Sequence, residues 1–100
     1  MSDEIKRDEV EEIAYNVYEA IFSNRTSVEI DGEVYPIEKT SKNKVRLIRH
    51  DNLTYIEQNP NKSSHWAKEA RSGHKILWVM RNRRYLFRIM DGNFLDLRKK

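Results

Sequence analysis

One hundred residues without cysteine, at a net charge of +3, make a single domain (1–100) with no disulfide framework, thiol nucleophile or cysteine-ligated zinc. The longest charge-free apolar run, Ile76–Met80, is far short of a membrane span. The acidic start Met-Ser-Asp-Glu lacks the basic and apolar segments of a signal peptide, so the expectation is a soluble, cytoplasmic chain. The small net charge hides a division: residues 1–38 carry 11 acids and 3 bases, residues 39–100 carry 5 acids and 16 bases. Such asymmetry points to an acidic partner for the basic half, or to head-to-tail self-association.

The spacing predicts a helix over Asp3–Phe22. Val10, Ile13, Ala14, Val17 and Ile21 recur every three or four residues and so share one face, widened by Tyr18 and Phe22. Ser2 or Asp3 caps it, and Asp8, Glu11, Glu12 and Glu19 fall on the outer face. Ser27–Lys39 reads as a hairpin, because Asp31-Gly32 suits a two-residue turn that needs positive φ at both positions. Pairing across it aligns Val28, Ile30, Tyr35 and Ile37, and Pro36, with no amide donor, places its strand at an edge or ends it. Thr40–Lys44 is a polar loop. Val45–Glu57 is a second hairpin turning at Asp51-Asn52, apolar on both faces: Val45, Leu47 and Ile56 on one, Ile48, Leu53 and Tyr55 on the other. After a turn around Pro60, Ser63 or Ser64 caps a short helix with Glu69 near its first turn and Gly73 as its C-terminal left-handed residue.

Lys75–Arg81 and Arg84–Asp91 pair across Asn82-Arg83. Strict alternation then puts Ile76, Trp78, Met80, Tyr85, Phe87 and Ile89 on one face. Leu77, Val79, Leu86 and Met90 take the other, with Arg81, Arg84 and Arg88. Asp91-Gly92 turns into a last strand, Asn93–Leu97, before the basic tail Arg98-Lys99-Lys100. The order αββββαβββ, built from hairpins, defines the α+β class: an N-terminal amphipathic helix and a short second helix on a meandering antiparallel sheet. The expected core is Val10, Ile13, Val17, Ile21, Ile30, Leu47, Ile56, Trp66, Trp78 and Phe87.

The chemistry-bearing set is Lys75, Arg81, Arg83, Arg84 and Arg88. Several cations on one surface are what a phosphate backbone requires, and the arginine fork matches phosphate geometry. The partner expected is nucleic acid, RNA or DNA. Aromatic residues between the bases can stack unpaired bases, although alternation reads Trp78, Tyr85 and Phe87 as core. His65 and His74 flank the short helix and offer an acid–base pair for RNA cleavage only if they converge. There is no HxH or HExxH metal spacing, no phosphate loop and no motif of the RNA-recognition, KH or zinc-finger type, so no cofactor is implied.

Within this stretch the run LWVMRNRRYLFRIMDGNFLDL resembles the sheet of RelE-type toxins, small ribosome-dependent mRNA nucleases. The pattern is an apolar strand with Arg, a turn, an aromatic-Arg strand and an acidic-Gly turn, over about a quarter of the chain. The resemblance implies that Arg81, Arg88 and Tyr85 contact RNA or take part in cleavage. The residues themselves favour a non-enzymatic module whose basic C-terminal hairpin engages nucleic acid. A toxin-like nuclease is the alternative, and a protein-interaction or self-assembly domain, such as a homodimer, using the acidic helix and basic sheet or an edge strand is a third.

Overall fold

The chain's computed structural model describes residues 7–40 and 45–98. The expected Ser2 or Asp3 cap, most of loop 40–44, and Lys99 and Lys100 lie outside the described residues. Helix α1 runs Arg7–Phe22, followed by strands β1 (Ser27–Ile30), β2 (Glu33–Pro36), β3 (Glu38–Lys39), β4 (Arg46–His50) and β5 (Leu53–Glu57). Helix α2 (His65–Arg71) precedes β6 (Ile76–Arg81), β7 (Arg84–Met90) and β8 (Asn93–Asp96). The α+β class and the succession of helix, strands, helix, strands are as expected, with five strands before α2 instead of four because Glu38–Lys39 forms its own strand. The strands form a six-stranded antiparallel meander, β3-β4-β5-β6-β7-β8, and a separate two-stranded sheet, β1-β2. A single meandering sheet was expected. The break falls at Pro36, which ends β2; Ile37 bonds back to Thr26, and Glu38 pairs instead with Leu47 of β4. No helix among the described residues is long and apolar enough to cross a membrane.

Two-residue turns set the register. Asp31-Gly32, Asp51-Asn52, Asn82-Arg83 and Asp91-Gly92 all hold positive φ at both positions, the backbone twist that matches paired strands. Val28 therefore faces Tyr35, and Ile48 faces Tyr55. The meander has two unlike faces. On one, Ile48, Leu53, Tyr55, Leu77, Val79, Phe87 and Ile89 pack against Val10, Ala14, Val17 and Ile21 of α1, with Val28 and Ile30 of the small sheet alongside. This is the main core, since burying these side chains removes the most apolar surface from water. Tyr15 of α1 stacks on Phe94 and donates a hydrogen bond to the Gly92 carbonyl. That fixes the helix to the β7–β8 turn.

The pairing of β6 with β7 corrects the expected face assignment. Val79 pairs with Phe87 but Met80 pairs with Tyr85, so Leu86 is an extra residue, a β-bulge. The alternation shifts by one at that point. Phe87 and Ile89 pass to the α1 side, while Arg88 joins Trp78, its direct partner, on the other side. Ile56, Trp66 and Trp78, expected in the core, are only half-buried on this second face, and Ile13 is half-buried at the edge of its stripe.

Helix α2 covers part of the second face. Its start is Ser64, whose hydroxyl accepts the Ala67 amide at 3.2 Å. Its end is a Schellman motif: Gly73 donates to Ala70 and His74 to Glu69, both at 3.1 Å. Gly73 holds φ 108°, a conformation side chains disfavour. Glu69 belongs to the last turn and not the first, because the helix begins only at His65.

Candidate functional site

The second face of the meander carries a connected aromatic and cationic array. Trp78 is anchored by its indole N–H, which donates to Gln58 Oε1 at 2.7 Å. With that edge satisfied, its ring meets Trp66 of α2 edge-on at 5.7 Å and Tyr85 of β7 at 4.8 Å. The Arg88 guanidinium lies over the Trp66 ring at 4.5 Å, a cation–π contact. Tyr85 is 53% exposed, and Leu95 farther along the face is 43% exposed.

Tyr85 also separates two clefts. One, of about 270 Å³, opens between Trp78, Met80, Gln58 and Lys62. The other, of about 470 Å³, is bounded by Arg84, Leu86, Leu97 and Arg98. Tyr85 lines both clefts, with Lys62 in the first and Arg84 and Arg98 in the second.

Arg88 lies on this face, whereas Arg81 and Arg84, next to Met80 and Tyr85 at the tip, alternate to the opposite side of the strands. Arg81 and Arg84 sit directly opposite each other, a like-charge pairing that disfavours the strand contact. Arg83 lies exposed at the tip. Among the described residues none of Arg81, Arg83, Arg84 and Arg88 pairs with a carboxylate. Arg88 Nε is buried with no hydrogen-bond partner, and unmet donors of this kind carry a substantial desolvation penalty. Lys75 is not part of this group. It stands at the far end of β6, a strand length of roughly 20 Å from the tip. There its backbone N–H donates to Asp91 Oδ1 at 2.9 Å.

The histidines do not converge. His65 and His74 take opposite ends of α2, and His65 packs on its own neighbour Trp66. Both ring nitrogens of His74 are occupied, Nδ1 by Asp91 Oδ2 at 2.6 Å and Nε2 by Glu69 Oε1 at 3.2 Å. The Asp91 hydrogen bond, with both carboxylates nearby, raises the His74 pKa above its ordinary 6.5. Asp91 is held below its ordinary value by the Lys75 amide and then by His74. The trio clamps α2 to the β7–β8 turn and leaves no ring nitrogen free to accept a substrate proton. No group of three or more metal-ligating side chains converges among the described residues.

A further node escaped the sequence reading. Arg46 of β4 binds both oxygens of Glu57 at 2.8 and 2.9 Å and donates to the Ile21 carbonyl at the end of α1. Helix α1 has no basic residue in its last turn, so Arg46 supplies the cation that a helix C-terminus favours. The acidic helix thus lies on the far side of the sheet from Trp78 and Arg88.

No protein-family model matches this chain, and comparison with curated proteins and with solved structures also finds no match.

Proposed function

We propose that the chain is a cytoplasmic module that binds single-stranded nucleic acid on the second face of its meander. The reading rests on the contiguous array Arg88–Trp66–Trp78–Tyr85 beside the arginine-bearing tip. Unpaired bases present faces that stack on aromatic rings, each such contact contributing about 1–3 kcal/mol. Arg81, Arg83 and Arg84 then meet the phosphates, releasing condensed counterions. Single strands suit the surface better than duplex does, because bases inside a duplex have no free face to offer. With the acidic α1 on the other side of the sheet, its carboxylates do not screen the array.

Electrophoretic mobility shifts with single-stranded RNA and DNA at low and raised salt test the proposal. Binding that weakens with salt is the expected result, with the triple variant Arg81→Ala, Arg83→Ala, Arg84→Ala weaker on all sequences alike. No shift at low salt, or a shift indifferent to salt, removes the proposal.

A further inference from the structure

Another cavity lies on the α1 side, between the start of α1 and the β4–β5 turn, with a volume of about 180 Å³. That is below the ~300–1,000 Å³ of sites for drug-sized ligands, so its occupant is small. Four carboxylates stand around it: Glu9 and Glu12 from α1, Asp31 from the β1–β2 turn and Asp51 from the β4–β5 turn. Among the described residues no lysine or arginine lines it and none of the four is in an ion pair. Val10, Ile13 and Leu53 supply an apolar wall.

Two buried polar atoms here lack partners. Tyr55 lines the cavity and is 0% exposed, yet its hydroxyl makes no hydrogen bond. His50 lines it as well, and its Nδ1 is buried and unpartnered. A phenol oxygen and a neutral imidazole nitrogen both accept hydrogen bonds. A single donor could therefore satisfy both atoms, and the surrounding carboxylates favour one that is positive. A metal ion does not fit, because no three ligating side chains converge among the described residues, and the apolar wall would leave its hydration shell unmet. We propose that this cavity binds a small aliphatic primary amine, with its ammonium toward Tyr55, His50 and Asp51 and its methylenes on Val10, Ile13 and Leu53. The shared chemistry, an ammonium on an alkyl stem, belongs both to free diamines and to a lysine side chain of a partner chain.

Amide NMR titration of the full chain tests this with diaminobutane in one arm and Nα-acetyl-lysine methylamide in the other. Saturable shifts confined to the segments around residues 9–13 and 50–55 are expected. Tighter binding of the diamine assigns the free amine as ligand; equal or tighter binding of the lysine derivative assigns a partner's lysine. Tyr55→Phe, which keeps the ring, and Asp51→Asn, which keeps a residue tolerant of the left-handed turn, should each weaken binding about tenfold, the loss of roughly one hydrogen bond to a charged group. Absent shifts would overturn the proposal. So would equal shifts from sodium chloride at matched ionic strength or from butanol, which indicate screening or apolar filling alone.

Discussion

Arg83 holds φ 67° at the second position of a two-residue turn, where glycine is strongly preferred. Arg83→Gly should relieve that conformation and raise stability by roughly 0.5–1 kcal/mol, measured by urea unfolding. On the proposed function it also removes one phosphate contact, so the salt dependence of nucleic-acid binding should flatten by about 0.7 in log–log slope. A variant that gains stability and binds unchanged would take Arg83 out of the interface. Tyr55 presents a related case in the core. Its hydroxyl is buried without a partner, and burial pushes its pKa well above the ordinary tyrosine value. Tyr55→Phe removes a desolvated group while keeping the ring, so the amine-free protein should be at least as stable, by up to ~1 kcal/mol. A loss of stability would show that the hydroxyl has a partner in solution.

Elements are joined here by a few polar contacts that cross the sequence. Arg46 is 24% exposed and Glu57 12%, so removing one partner leaves the other largely dehydrated. Arg46→Met should lower stability by about 3 kcal/mol, seen as a reduced urea midpoint. The clamp at His74 gives a pH dependence whose sign follows from its two shifts. His74 has a raised pKa, so its contribution is complete below its unfolded value of 6.5 and is lost as pH rises through the folded value. Asp91 has a lowered pKa, so its contribution is complete above 3.8 and is lost as pH falls through the folded value. The clamp is therefore strongest between 3.8 and 6.5. His74→Asn should flatten the fall in urea midpoint above that window, and an unchanged pH profile would exclude the clamp as its cause. These joints also mark what the sequence could and could not reveal. The hairpins were legible because Asp-Gly and Asp-Asn pairs demand a particular turn. The bulge at Leu86 was not, because no local residue announces it, and one extra residue moved Phe87, Ile89 and Arg88 to the faces opposite those expected. Nothing next to Arg46 in the sequence marks its role, because its partners lie 11 and 25 residues away.

For the molecule as a whole, the asymmetry of charge was plain in the sequence, but its meaning depended on which side of the sheet each half occupies. The fold puts α1 on one face and the Trp–Tyr–Arg array on the other. It also separates Lys75 from the arginine tip with which the sequence grouped it. Tyr85→Ala, at a site 53% exposed, should leave stability nearly unchanged while weakening nucleic-acid binding by about 1–3 kcal/mol. Both tryptophans of the chain lie in the array, so intrinsic fluorescence reports directly on the proposed surface. The decisive measurement is tryptophan quenching on titration with a single-stranded oligonucleotide at about 50 and about 200 mM salt. If Arg81, Arg83 and Arg84 each meet a phosphate, saturable quenching should appear, and affinity should fall by about 20-fold between the two conditions. Unquenched tryptophans at the lower salt, or quenching with the same affinity at both, would contradict the account.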